Sequence, residues 1–132
     1  LLQHYSSLAQ QNSVDFRCRA DLPEQLPLDD ATLTTLLGNA LSNALEAAER
    51  SGQGPRTMEI LLSVKQNTLI MQTRNTCSAP PLEKDGELIS ARGDGHGYGL
   101  ASIRRLAEGA GGLCQWSYED GCFKLDVAMP LR

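Results

Sequence analysis

Between Asp29 and Arg50 the chain carries its most constraining pattern: Leu33, Leu36, Leu37, Ala40, Leu41, Ala44, Leu45 and Ala48 recur at spacings of three and four. Such spacing puts one broad apolar face on an α-helix, and that face must be buried against a core. Asp29 or Asp30 can cap the start of this helix, and Ser51-Gly52-Gln53-Gly54-Pro55 breaks it near Arg50. A single amphipathic helix has nothing to pack against in water, so the flanking segments must provide the other layer.

Those segments read as follows. Residues 1–11 look helical, and residues 13–20 alternate Val14, Phe16 and Cys18 against Asp15, Arg17 and Arg19 as a half-buried strand does. After the central helix, 56–65 and 68–74 read as two strands joined by a Gln66-Asn67 turn. From Asn75 to Gly95 periodicity disappears and Pro80, Pro81, Gly86 and Gly93 accumulate, with Leu88-Ile89 as the one strand-like point. Structureless stretches of that length inside a domain tend to be functional or disordered. A second helix is expected over 98–108, ending at Gly109-Ala110-Gly111-Gly112, and a hairpin of 113–118 with 122–129 closes the chain. Counting outward from Asp120-Gly121 places Cys114, Trp116, Phe123 and Val127 on one face and Cys122 on the other. Trp116 with Leu125 and Tyr118 with Phe123 then read as core pairs. Helices separated by hairpins, without alternating parallel βαβ units, predict an α+β fold: a two-layer sandwich of a mixed, mostly antiparallel sheet and three helices.

Composition limits the function. The 132 residues suit one domain, and 12 Lys+Arg against 16 Asp+Glu give a net charge of −4 with no basic run longer than Arg104-Arg105. That balance argues against nucleic acid as a partner. Apolar runs such as Ile60-Leu61-Leu62 are far shorter than the ~18 residues of a membrane span, and no signal-peptide pattern is present. Cys18, Cys77, Cys114 and Cys122 form no CxxC pair, and only His4 and His96 are available to complete a metal site, so reduced cysteines are expected. The chain starts Leu1-Leu2 rather than with Met, which reads as a piece of a longer protein.

Two features point to chemistry. At about 100° per residue, Asn39, Asn43, Glu46 and Arg50 fall within roughly 60° of one another along the border of the apolar face. This stripe is either a solvated flank or a set of carboxamide oxygens for a hard cation such as Mg²⁺, with a carboxylate to orient its water. The second feature is Gly93-Asp94-Gly95-His96-Gly97-Tyr98-Gly99-Leu100, alternating glycines that run into a helix start. Exposed backbone N–H groups at the positive end of a helix dipole favour a phosphate. The pattern is neither of the common dinucleotide or P-loop fingerprints, and a flexible linker is its alternative reading.

In combination, the run Leu36-Leu37-Gly38-Asn39-Ala40-Leu41-Ser42-Asn43-Ala44-Leu45-Glu46-Ala47 resembles the N box of the GHKL (Bergerat-fold) ATP-binding domains, and Gly95-His96-Gly97-Tyr98-Gly99-Leu100 resembles their later glycine box. The match is to the catalytic domain of sensor histidine kinases, in the quorum-sensing or peptide-sensing branch, where a terminal strand ends in Pro as in Met129-Pro130. The resemblance implies ATP and Mg²⁺ as ligands. It implies that Asn43 ligates the Mg²⁺, that Asn39 contacts phosphate or a metal-bound water, and that Glu46 stands behind them. Asn39 stands where related ATPases carry a glutamate that activates water, which favours transfer to a protein over hydrolysis.

Asn75 stands where the family's first glycine box has the aspartate that accepts from the adenine amino group, and Cys77 replaces a glycine of that box. An amide oxygen can accept the same bond, although taken alone Asn75 reads equally as a turn residue. Gly95, His96, Gly97, Tyr98, Gly99 and Leu100 are implied to hold phosphate, with residues 78–94 as a lid from which Arg92 or Lys84 reaches the γ-phosphate. His4 is not the phosphoacceptor on this resemblance: residues 1–11 would end an upstream dimerisation helix, with 12–132 as the ATP-binding domain. The implied partners are the chain's own dimerisation and phosphoacceptor domain and a response regulator, in a homodimeric, membrane-anchored parent with this domain in the cytoplasm. The same residues leave room for another GHKL ATPase, an anti-sigma-type serine kinase, or a degenerate binding module.

Overall fold

The central helix starts at Asp29. Its carboxylate accepts from the Thr32 backbone N–H at 2.7 Å and from the Thr32 hydroxyl at 3.0 Å, which satisfies a donor the first turn leaves open. These bonds hold the Asp29 carboxyl below its ordinary pKa, the Thr32 N–H contributing most. Asp30 is instead the first helical residue. The chain is described by a computed structural model covering residues 1–52, 54–78, 82–84, 87–89 and 98–131.

In chain order the elements are α1 (Leu2–Gln11), β1 (Asp15–Asp21), α2 (Asp30–Glu49), β2 (Thr57–Lys65), β3 (Thr68–Thr76), β4 (Leu82–Lys84), β5 (Glu87–Ile89), α3 (Tyr98–Gly109), β6 (Leu113–Glu119) and β7 (Cys122–Pro130). Five strands form one sheet in the order β1-β2-β3-β7-β6, and β4 pairs with β5 separately. Both tight hairpins have left-handed backbone at their two central residues, Gln66-Asn67 and Asp120-Gly121. That is the type I′ geometry that matches the twist of paired strands.

Two expectations need correction. The fold does contain a βαβ unit: β1 and β2 pair in parallel, with α2 as their crossover. A helix between two strands is the connection a parallel pair requires, and the expected alternation of β1 is realised only in its first half, with Phe16 half-buried and Cys18 exposed like its neighbours Arg17 and Arg19 on this edge strand. The segment after Asn75 also holds more regular structure than expected, since Leu82 pairs with Ile89 and Lys84 with Glu87. Strands of three residues are too short to show a period.

The rest of the sheet is antiparallel, with helices against one face, so the α+β two-layer expectation holds. That face contributes Met58, Ile60, Leu62, Leu69, Met71, Phe123, Leu125, Val127 and Met129. Against it α2 buries Leu36, Leu37, Ala40, Leu41, Ala44, Leu45 and Ala48, while Leu33 is half-buried. Ile103 and Ala107 of α3, Ala9 of α1, Val14 before β1 and Leu131 after β7 complete the core.

The last hairpin places Cys114 opposite Val127 and Trp116 opposite Leu125, with the Trp116 and Phe123 rings stacked at 5.9 Å. Cys122 pairs with Glu119 on the other face, and none of the four cysteines is in a disulfide. Burial pushes the Cys114 thiol pKa up, partly offset by Arg104. Among the described residues no helix is long and apolar enough to cross a membrane.

Candidate functional site

Helix α2 lies between the other two helices: it packs on α1 and on α3, while α1 and α3 do not meet among the described residues. Asn39, Asn43 and Glu46 lie half-buried along its border, and Arg50, the fourth member of the stripe, is its exposed C-cap. The stripe is therefore partly withdrawn from solvent.

The two motifs meet in space. Gly99, in the first turn of α3, lies so close to the Asn43 carboxamide that a Cβ at position 99 would stand 2.8 Å from Nδ2, 3.4 Å from Oδ1 and 3.5 Å from Cγ. Any larger residue here would push the Asn43 amide aside. The Nδ2 of Asn43 is buried and has no hydrogen-bond partner among the described residues. A buried amide donor without a partner costs on the order of 1–3 kcal/mol, a cost offset when a ligand oxygen takes the bond. The amide also carries an acceptor oxygen suited to a hard cation. A buried amide donor with an acceptor oxygen beside it, at the first turn of α3 where a helix leaves backbone N–H groups for other partners, fits a phosphate together with its Mg²⁺.

Asn75 is 2% exposed, near the end of β3 on the helix-facing side, opposite Met58 and Phe123. Its Nδ2 donates to the Thr76 carbonyl at 3.0 Å. That bond orients the amide and leaves Oδ1 as its acceptor. Thr73, two residues earlier on the same face, is also 2% exposed, and sequence reasoning missed it. The signal was available: in the alternation Leu69, Met71, Thr73, Asn75 two polar residues occupy inward positions. Cys77 has no left-handed backbone, so its side chain is accommodated where the family pattern has glycine. Its N–H donates to the Gly121 carbonyl at 2.8 Å, which ties the end of β3 to the last hairpin turn.

Of the remaining predicted residues, Leu100 is half-buried and packs on the core, and Tyr98 opens α3. Lys84 is the last residue of β4. Arg92, Gly95, His96 and Gly97 lie outside the described residues. His4 is exposed on α1, and Arg105 is exposed on α3.

A family model described as the GHKL domain matches residues 28–130. The chain belongs to the GHKL family. That span includes α2, the end of β3 and the start of α3, the three places from which the site is built. The GHKL chain is 31% identical over 107 residues to the sensor histidine kinase DpiB of Escherichia coli K12, covering 74% of this chain and 19% of that protein. It therefore spans about a fifth of the length of the sensor kinase it matches.

Among solved structures it is similar to the nucleotide-free catalytic domain of the histidine kinase ThkA, with a TM-score of 0.71 and 18% identity over 98% of this chain and 87% of that one. A mycobacterial sensor histidine kinase, MprB, matches with a TM-score of 0.69 and 15% identity over 99% and 93% of the two chains. At such identity these likenesses show the fold. The GHKL domain here thus has the architecture of histidine kinase catalytic domains.

Proposed function

We propose that this GHKL domain is the ATP-binding catalytic domain of a sensor histidine kinase, passing the γ-phosphoryl group of ATP to a histidine on a separate dimerisation domain. The observation that carries the reading is the orphaned Asn43 amide packed against Gly99. It brings the start of α3 against the asparagine stripe of α2, which supports one shared site for the cation and the phosphates. In phosphoryl transfer the protein's part is mainly positioning and charge stabilisation.

Asn43 would hold Mg²⁺, which when bound neutralises charge developing on the phosphates. Asn39, one turn earlier, would hold a phosphate oxygen or a metal-bound water, and Glu46 would orient that water. Asn75, through Oδ1, would accept from the adenine amino group in a pocket shared with Thr73. Backbone N–H groups around Gly97 and Gly99 would face the phosphates, with Arg92 or Lys84 reaching the γ-phosphate. No covalent nucleophile is asked of this domain, and Asn39 in place of a glutamate leaves no carboxylate at that position to activate water.

Residues 1–11 would be the end of an upstream dimerisation helix. A homodimeric, membrane-anchored parent of the quorum-sensing or peptide-sensing branch and a response regulator complete the proposal.

The test is isothermal titration of the domain with a non-hydrolysable ATP analogue, with and without Mg²⁺, beside Asn43→Ala. Magnesium-dependent binding that weakens at least tenfold in the variant is expected, since a hydrogen bond to a charged group contributes roughly 1.5–3 kcal/mol. Label from ATP should enter a supplied phosphoacceptor domain and not this chain alone. Absence of any adenine-nucleotide binding by the intact domain would overturn the reading and leave a partner-binding module.

A further inference from the structure

Helix α1 touches α2 at one polar point. The Tyr5 hydroxyl lies 2.5 Å from the Ser42 hydroxyl and 3.4 Å from the Gly38 carbonyl. Gly38 and Ser42 are one helical turn apart and immediately precede Asn39 and Asn43 in the sequence. The phenol thus grips the turn of α2 that carries both asparagines. A glycine inside a helix lowers its stability, and a Cβ at Gly38 would meet nothing within 4 Å. Packing therefore does not explain the glycine.

On the opposite flank the Asn43 amide is pressed against Gly99 of α3. Tyr5 from α1 and Gly99 from α3 hold the asparagine turn from two sides. Leu2, Leu8 and Ala9 of α1 pack on the core, and apolar packing resists sliding and rotation less than a directional bond does. Tyr5 is consequently the directional contact between α1 and the turn of α2 that carries both asparagines.

We propose that Tyr5 is a positioning residue for the metal and phosphate site: through Ser42 and the Gly38 carbonyl it fixes Asn39 and Asn43, so that displacement of α1 lowers Mg²⁺-dependent nucleotide affinity. This rests on the reading of Asn43 as the Mg²⁺ ligand. The atom that matters is the phenol oxygen, since the ring itself is retained by its half-buried packing on the core.

The test is the affinity of a non-hydrolysable ATP analogue, measured with Mg²⁺ and in EDTA, for the 132-residue chain and for Tyr5→Phe, Ser42→Ala and the double variant. Loss of one net hydrogen bond corresponds to about two- to tenfold in an equilibrium constant. A two- to tenfold weakening is expected with Mg²⁺, with affinity in EDTA unchanged, and the double variant should bind no more weakly than the weaker single variant. A merely structural role would lower the unfolding temperature and leave the Mg²⁺ dependence intact. Unchanged Mg²⁺-dependent affinity in both single variants, or equal losses with and without Mg²⁺, would overturn the proposal. Should Tyr5→Phe not fold, Ser42→Ala alone decides. If the wild-type chain shows no Mg²⁺-dependent binding, the reading of the site fails and this proposal with it, a result visible before any variant is made.

Discussion

Adding one methyl group at Gly99 separates the function of the site from the stability of the fold. In Gly99→Ala the new Cβ would stand 2.8 Å from Nδ2 of Asn43. Ordinary contact begins at 3.4 Å, so the amide must retreat by about 0.6 Å. The atom that must yield is the far end of a flexible side chain, so a change of χ angle suffices, at ~0.5–1.5 kcal/mol. Alanine recovers part of that, because it is favoured over glycine in a helix by about 1 kcal/mol. Net stability should then shift by no more than about 1 kcal/mol.

The group pushed aside is the Nδ2 donor, and an N–H···O bond spans only about 2.7–3.2 Å, so a retreat of about 0.6 Å takes Nδ2 out of reach of a phosphate oxygen. The expected loss is roughly 1.5–3 kcal/mol, or ten- to more than a hundredfold in Mg²⁺·nucleotide affinity. The assay is urea unfolding together with titration of a non-hydrolysable ATP analogue, for Gly99→Ala, Asn43→Ala and the double variant. In the Asn43→Ala background the clash is gone, and Gly99→Ala should cost almost nothing more. Two results would refute the reasoning: unchanged affinity in Gly99→Ala, or destabilisation above about 2 kcal/mol, which would mean that α3 moves rather than the amide.

Two further outcomes test the scaffold. In Gly112→Ala the added Cβ would come within 1.9 Å of the Ala128 carbonyl oxygen and 2.9 Å of Pro130 Cδ. Backbone and a proline ring cannot turn aside, so urea unfolding should show a loss of at least about 2 kcal/mol with nucleotide affinity retained in the folded fraction. Asp29→Asn, compared with wild type across pH, tests the cap. The carboxyl of Asp29 has a lowered pKa in the folded chain, so its charge adds stability above the ordinary carboxylate value, and that increment disappears as pH falls through the folded value. Thermal unfolding should therefore separate the two proteins at neutral pH and bring them together in acid; a gap that persists in acid would exclude the charge as its cause.

Much of the fold was legible in the sequence because it depends on neighbours along the chain. Residues three and four apart share a helix face, so the buried side of α2 could be read directly, and alternate residues share a strand face, so Cys114 and Cys122 could be assigned to opposite sides of the last hairpin. The two I′ turns likewise depend on only two residues each. The asparagine stripe and the glycine string were visible as separate motifs for the same reason.

What the tertiary structure decided is which distant segments share a location. The parallel pairing of β1 with β2 across α2 and the grip of Tyr5 on Ser42 across 37 positions leave no periodic trace in the sequence. The approach of Gly99 to Asn43 is of the same kind. A glycine written in a string looks like a flexible joint; only with α3 packed against α2 is it the one residue small enough to lie over the Asn43 amide. Local backbone preference depends on a few adjacent residues and can be read in order, whereas a cleft is formed by packing, which brings side chains from separate elements within hydrogen-bond range.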